Sequence, residues 1–252
     1  MSAAAVLDAE RIKLSTTRSA RWTAAAVAVL SIGLAALQGS TAYGVAPLPP
    51  EKAAMGVVVF GVPVLMVLAA TTVTGEYRSG MIRTTFMATP DRTLVLVAKA
   101  TIAALFSAVY AAVMTVVAVV VAHVMTPPLA GSQLSFIDPD TWRVIGAVTL
   151  YAALTAALGV GVGALLRHSA GAVAVLLLWP LLVEPILGNL PDLGSEVGPY
   201  LPFANVLRFL NVQWLFPRYA MPWSEMGSLL YFIGVVAVVY VAAIIVVNRR
   251  DA

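Results

Sequence analysis

The sequence predicts an all-α integral membrane protein with six transmembrane helices, and two observations carry that prediction. Of its 252 residues, 61% are hydrophobic and only 11% are charged, whereas soluble domains are roughly half apolar and about a quarter charged. The apolar residues also form long unbroken runs, and a membrane-spanning helix needs about 20 such residues. A transmembrane barrel would show short segments of alternating polarity instead. The excess apolar surface is therefore expected to face lipid on the outside of helices.

Six apolar runs each predict one span, at residues 22–37, 53–73, 94–124, 144–166, 170–187 and 226–247. As a straight helix the third run would measure about 46 Å, which exceeds the roughly 30 Å hydrocarbon core. We expect this helix to tilt, or to leave the bilayer at the end that carries Lys99. Only residues 167–169 separate the fourth and fifth runs, so these spans should form a tight antiparallel hairpin.

Lysine and arginine are unevenly distributed between the connections, and cytoplasmic flanks of membrane helices are enriched in both. With a cytoplasmic N-terminus, the outer face would hold only Lys52, Arg143, Arg208 and Arg218. The other eleven would lie inside, namely Arg11, Lys13, Arg18, Arg21, Arg78, Arg83, Arg92, Lys99, Arg167, Arg249 and Arg250. The sequence therefore predicts that both termini are cytoplasmic.

Residues 1–21 precede the first span, and their acidic residues favour a retained anchor over a cleaved signal peptide. A polar stripe predicts an N-terminal interfacial helix, although Ile12 interrupts the pattern and a plain cytoplasmic extension is the alternative. Arginine and tryptophan would anchor such a helix at the headgroups. The stripe consists of Asp8, Arg11, Ser15 and Arg18, and the anchors are Arg18, Arg21 and Trp22.

Several classes of chemistry are disfavoured by what the sequence lacks. It contains no cysteine and only two histidines, which argues against zinc and iron–sulfur sites. No GxxxxGK[ST] phosphate loop and no GxSxG motif is found. The net charge of +3 is too small to indicate nucleic-acid binding. An enzymatic function is therefore not expected of this chain.

The connection between the second and third spans, TGEYRSGMIRTTFMATPDR at residues 74–92, is the most informative stretch. Ser79 can cap a short helix over residues 80–88, and Pro90 stops it. This helix would be partly apolar and partly basic. It is either a surface loop that follows the positive-inside rule, or a protrusion that docks into a cytoplasmic partner and transmits motion to two spans.

The segment EYRSGMIRTT at residues 76–85, followed by TPDR at residues 89–92, resembles the cytoplasmic loop of ATP-binding-cassette exporter permeases of the second type (the ABC-2, or type V, family). The segments ERIKL at residues 10–14 and TRSARW at residues 17–22 look like the opening of bacterial, especially actinobacterial, members. In length and span count the resemblance covers the whole chain. It implies a location in the bacterial plasma membrane.

The resemblance also implies a division of labour between subunits. The permease would pair with a second copy or a paralogue, and a separate ATPase subunit would bind ATP and magnesium. That ATPase would grip the loop after the second span, the coupling helix. Glu76 could accept a salt bridge from the ATPase or from the N-terminal helix. The residues implied in coupling are Glu76, Arg78, Gly80, Met81, Arg83 and Phe86.

The fifth span and the following segment, residues 188–225, contain many helix breakers and aromatic residues. Pro180 and Pro185 each remove a backbone donor. Seven aromatic residues indicate a segment that re-enters the outer leaflet, as in the resembling family, and that serves as an outer gate, an aromatic interface belt, or both. Glu184 either caps freed backbone N–H groups or binds substrate or a proton. The aromatic residues are Tyr200, Phe203, Phe209, Trp214, Phe216, Tyr219 and Trp223, and the candidate gate or pathway residues are Glu184, Pro185, Phe203 and Asn205.

Gly159, Gly161 and Gly163 in the fourth span predict close helix packing, within the chain or across a dimer. The resemblance, together with these patterns, implies a permease that exports a hydrophobic or amphipathic substrate with energy from a partner ATPase. The alternative is a secondary transporter or channel that works without an ATPase. That alternative would call for several intramembrane charges or paired repeats, and neither is seen.

Overall fold

The computed structural model describes residues 2–42, 46–212, 216–217 and 219–249, and this part of the chain is helical, with no strand. The helices are α1 (Ala3–Thr16), α2 (Arg18–Ser40), α3 (Pro50–Ala53), α4 (Val62–Ser79), α5 (Met81–Ala88), α6 (Arg92–Met125), α7 (Pro139–Leu166), α8 (Ser169–Leu178), α9 (Glu184–Gly188), α10 (Leu193–Val197), α11 (Pro202–Phe209) and α12 (Glu225–Arg249). Two π-helical turns, Val57–Gly61 and Trp179–Val183, lead into α4 and α9, and two 3-10 turns cover Ala130–Gln133 and Gly198–Tyr200.

Six helical segments are long and apolar enough to cross a membrane, which confirms the predicted number. They are Arg18–Ser40, Val57–Ser79, Arg92–Met125, Pro139–Leu166, Ser169–Gly188 and Glu225–Arg249. Most extend beyond the predicted apolar runs, because polar residues at the ends continue the helical hydrogen bonding after the hydrophobic pattern stops. The chain is thus a multi-pass membrane protein.

The segments that contain α4 and α7 form the centre of the bundle. Their most apolar stretches are 72% and 67% buried, against 22% to 33% for the other four spans. Gly159 and Gly163 of α7 lie directly on the backbone of α4. A Cβ atom at Gly159 would come within 2.2 Å of the Met66 carbonyl oxygen, and one at Gly163 within 2.8 Å of the Ala70 carbonyl oxygen. The predicted glycine packing is therefore confirmed for these two positions, and the contact is within the chain.

The outer surface of the bundle is apolar. Several large aliphatic side chains on α2, α6 and α12 are exposed, among them Val29 (71%), Val109 (64%) and Val238 (70%). Contiguous apolar surface of this kind is unfavourable in water but suits a lipid environment. The low burial of the peripheral spans thus agrees with their assignment to the bilayer.

The fifth span is less disrupted than the two prolines predict. A π-helical turn at Trp179–Val183 accommodates Pro180, and α9 continues to Gly188. A π turn widens the helix locally and is a common way to absorb such a defect. The span therefore remains one helical segment, Ser169–Gly188.

The segment after Gly188 folds back through α10 and a 3-10 turn into α11, which packs against α12. The rings of Phe203 in α11 and Phe232 in α12 lie 5.6 Å apart, centre to centre, in an edge-to-face arrangement. Trp223 stacks on Tyr231 at 5.1 Å. Trp214 and Arg218, which entered the predictions for this segment, lie outside the described residues, as does Arg250.

Candidate functional site

The connection between α4 and α6 is a short helix, α5, held at both ends. Gly80 has a φ of 73°, so it ends α4 in the left-handed conformation and starts α5. Asp91 then caps α6, with its carboxylate accepting a hydrogen bond from the Leu94 N–H at 2.9 Å. The prediction that Ser79 caps α5 is wrong. Its hydroxyl donates back to the carbonyl of Gly75 at 3.0 Å, because Ser79 is the last residue of α4 and its side chain bonds within that helix.

One face of α5 is packed on the bundle and the other is open. Ile82 is 4% exposed, and Phe86 is half-buried, with the Arg92 guanidinium 5.2 Å from its ring centre. Met81 and Met87 are 51% and 76% exposed. Of the six residues implied in coupling, Arg78, Gly80, Met81 and Arg83 lie on the open surface, whereas Phe86 and Glu76 point inward.

Glu76 belongs to a group of four charged side chains from three helices, which we call the charge cluster: Glu10 and Lys13 of α1, Glu76 of α4 and Lys99 of α6. The Lys99 ammonium lies 2.8 Å from a Glu10 oxygen and 2.7 Å from a Glu76 oxygen. The Lys13 ammonium lies 2.8 Å from each of the same two carboxylates. Two carboxylates and two ammonium groups alternate in this ring, so its formal charge is zero.

The charge cluster is largely removed from water. Glu10, Glu76 and Lys99 are 5%, 8% and 3% exposed. Lys13 is the partly exposed member and faces a cavity of about 400 Å³ between α1, α4 and α6. Burial alone would lower the pKa of Lys13, but its hydrogen bonds to Glu10 and Glu76 outweigh that effect, and its pKa lies above the ordinary value. The ammonium form of Lys13 is thus stabilised by its two carboxylate partners.

The charge cluster also reaches α5. The Thr85 hydroxyl donates to the second Glu76 oxygen at 3.3 Å. Glu76 is therefore bonded at the same time to α1, α5 and α6. Of the two salt-bridge partners considered from the sequence, the N-terminal helix is the one in contact with Glu76 here, and Lys99 is a further partner. Sequence reasoning missed Glu10, Lys13 and Lys99 as partners. The available signal was Lys99 itself, since a lysine inside an apolar run needs a carboxylate.

The N-terminal helix α1 presents its predicted polar stripe outward, with Asp8, Arg11 and Ser15 all exposed. Its buried face is formed by Val6, Glu10 and Leu14 at four-residue spacing. The helix ends at Thr16, and α2 begins at Arg18, so the predicted N-terminal segment 1–21 divides between two helices. Helix α1 is thus docked on α6 through Leu14 and the charge cluster.

Glu184 forms a second buried polar site. It is 0% exposed. One of its oxygens accepts from the backbone N–H groups of Phe203 at 2.8 Å and Ala204 at 3.3 Å, and the other from the Trp179 indole at 2.7 Å. Of the two roles predicted for Glu184, this geometry corresponds to capping of backbone N–H groups. The capped groups belong to the first turn of α11, and not to the residues whose hydrogen bonds the prolines disrupt. Three donors and the positive end of a helix stabilise the carboxylate.

Asn205 ties the same region together. Its amide nitrogen donates to the carbonyls of Pro199 at 2.8 Å and Leu201 at 2.9 Å, and its oxygen accepts from the Trp223 indole at 2.8 Å. Pro185 and Phe203 are also buried. The four candidate gate residues thus lie in the packed interior where α9 and α11 meet, and the polar groups of Glu184 and Asn205 are occupied by partners within the chain.

Replacing Glu184 by glutamine should destabilise the folded chain by about 1 to 3 kcal/mol, because buried donors then lose an acceptor. The amide oxygen can serve either the indole or the α11 backbone, and the amide nitrogen would face a donor. Glu196→Gln, an exposed carboxylate on α10, is the matched control. Denaturation of the purified proteins in mixed detergent micelles measures both. Equal stability of the two variants would contradict the capping role.

Comparison with protein-family models and with curated proteins finds no significant match to this chain. The assignment of a function accordingly rests on the motifs of the sequence and on the geometry described above.

Proposed function

We propose that the chain is the transmembrane permease subunit of an ATP-driven exporter in a bacterial plasma membrane, with both termini cytoplasmic. A separate ATPase subunit would bind ATP and magnesium, and a second permease copy or paralogue would complete the pathway. The cargo would be hydrophobic or amphipathic, because the buried charged groups of the described spans, Glu76, Lys99 and Glu184, are bonded to partners within the chain. The chain itself would catalyse no reaction.

The observation that carries the proposal is the placement of α5. A helix whose inner face is packed and whose ends continue into two spans cannot move without moving those spans. Its open face, with Met81, Met87 and the basic Arg78 and Arg83 beside them, offers the mixed apolar and cationic surface that a protein partner would bind. Flexible methionine side chains suit such a contact.

The charge cluster supports the same proposal. It joins α1, the end of α4, α5 and α6 through hydrogen bonds of 2.7 to 3.3 Å. A push on α5 would therefore be shared with the N-terminal helix and the third span as one unit. In the proposal, ATP-driven closure of the ATPases delivers that push and switches access from inside to outside.

On the opposite side of the bundle, α10 and α11 would enter the outer leaflet and close the pathway there. The packing of α11 on α12 and the burial of Glu184 and Asn205 give this segment a defined shape. In this proposal, Glu184 acts by holding α11 in place, and not by binding cargo.

Charge on the open face of α5 should abolish coupling without unfolding the permease. In Met81→Asp/Met87→Asp, we expect stimulation of the partner ATPase to fall at least about tenfold, since each change buries a carboxylate in an apolar contact. Met226→Asp is the matched control. Met226 is 58% exposed but lies at the start of α12, whereas the end of α12 is the part near α5.

The partner can be identified with a photo-crosslinking amino acid at position 87 in native membranes, with Val29 as the lipid-facing control position. The proposal expects a crosslinked chain that carries an ATP-binding phosphate loop, and ATP hydrolysis that rises when the two purified chains are combined. The proposed coupling role would be refuted if position 87 formed no crosslink to an ATPase and the double aspartate variant still transported fully.

A further inference from the structure

The surface of the bundle carries a groove of about 550 Å³ between α1, α2 and α6, which we call the α2–α6 groove. The residues that line it are Arg11, Leu14, Ser15, Ala20, Arg21, Ala24, Ile102, Leu105, Phe106, Val109, Tyr110 and Val113. It lies beside the charge cluster but shares no charged residue with it. It therefore needs its own explanation.

The two ends of the α2–α6 groove differ in chemistry. At the end formed by α1 and the start of α2, Arg11, Ser15 and Arg21 line the opening. Along α6 the lining is aliphatic and aromatic. Its one hydroxyl, that of Tyr110, is occupied, because it donates to the Ala24 carbonyl at 2.6 Å. Such a split suits a molecule with a polar head and an apolar tail.

The charge at the opening is positive. None of the described residues that line the groove is acidic. Arg11 is paired with the exposed Asp8 at 2.7 Å, an interaction that solvent screens strongly. Arg21 is exposed and forms no ion pair with an acidic side chain in the described part of the chain. An anionic head group would thus be attracted to this end.

The apolar part of the groove has the length of one leaflet. Residues 102 to 113 of α6 extend about 17 Å at about 1.5 Å per residue, and half of the hydrocarbon core is roughly 15 Å. A ligand that filled it would lie along a membrane-spanning helix, with its head at the level of α1. An acyl chain of the surrounding bilayer meets this requirement, whereas a compact polar solute does not.

We propose that the α2–α6 groove is a binding site for a single anionic phospholipid from the leaflet on the α1 side. Its head group lies between Arg11 and Arg21, and one acyl chain runs along Ile102, Phe106 and Tyr110. The bound lipid contacts α1, α2 and α6 at once and braces the N-terminal helix against the bundle. The site is independent of the proposed transport function.

The test titrates the delipidated full chain with phosphatidylglycerol or phosphatidylcholine and counts bound lipids by native mass spectrometry. We expect tighter binding of phosphatidylglycerol. Arg11→Gln/Arg21→Gln should weaken phosphatidylglycerol binding by about 30-fold and leave phosphatidylcholine unchanged. Val109→Trp, which fills the groove from an exposed position, should weaken both lipids.

Two matched controls accompany these variants. Arg78→Gln removes an exposed arginine on the same side of the bundle, and Val238→Trp adds a tryptophan at an exposed position on α12. Neither should change lipid binding. Equal affinity of the wild-type chain for the two lipids would overturn the proposal. So would a loss of dimer in Val109→Trp with unchanged lipid counts, which would assign the groove to a second copy.

Discussion

Replacing Lys99 by methionine should destabilise the folded chain by about 3 to 5 kcal/mol, because it leaves two buried carboxylates short of a cation. Lys99 is 3% exposed and bridges Glu10 and Glu76 at 2.8 and 2.7 Å. Its removal gives the charge cluster a net charge of −1, with only Lys13 left to neutralise two acids. Denaturation in mixed micelles of dodecyl maltoside and SDS measures the loss.

Lys13→Met is the matched control within the same charge cluster. The Lys13 side chain is 38% exposed, so water can replace part of the hydrogen bonding that Lys13 gives to Glu10 and Glu76. We therefore expect the free energy of unfolding to fall by only about 1 kcal/mol. Adding Glu76→Gln to Lys99→Met should restore part of the stability, since the remaining Glu10 and Lys13 charges balance. A Lys99→Met protein as stable as the wild type would show that the buried ion pairs do not stabilise the docking of α1.

Replacing Gly159 by alanine should destabilise the bundle by about 3 kcal/mol or more, at the upper end of the usual cost of overpacking. The added methyl group would lie 2.2 Å from the Met66 carbonyl oxygen. Backbone in the middle of a buried helix cannot turn aside as a flexible side chain can. Helices α4 and α7 would have to separate, and both lie at the centre of the fold.

Gly146→Ala tests the same substitution on the same helix, where nothing lies within 4 Å of the new methyl group. It should be neutral or slightly stabilising, because alanine favours a helix over glycine by about 1 kcal/mol. The two variants are compared by their free energies of unfolding and by the folded fraction in size-exclusion chromatography. Similar values for both would argue against close α4–α7 contact.

Much of the architecture could be predicted from the sequence because its causes are local. Apolar length decides whether a segment can cross a bilayer, and the six predicted runs correspond to the six long helices. A short helix was also predicted between the second and third spans, although the structure begins it after Gly80 and without the predicted Ser79 cap. Gly159 and Gly163 signalled a close contact, although the partner helix was not evident from them.

The partners of the buried polar groups could not be predicted in the same way. Lys99 lies 89 residues from Glu10 along the chain and 23 from Glu76, and no local pattern links these positions. Glu184 lies near Pro180 and Pro185, and the sequence therefore predicted, as one of two roles, that it would cap the N–H groups freed by these prolines. Its actual partners, Phe203 and Ala204, begin a helix that the fold brings back to it.

By itself, then, the sequence determined that the chain is a membrane protein of six long apolar helices, with a short basic helix between the second and third. The tertiary structure decided which buried charges meet, and which glycines touch which backbone. The physical reason is range: insertion depends on the apolar content of each segment alone, whereas the pairing of a buried charge depends on what distant helices bring within about 3 Å of it.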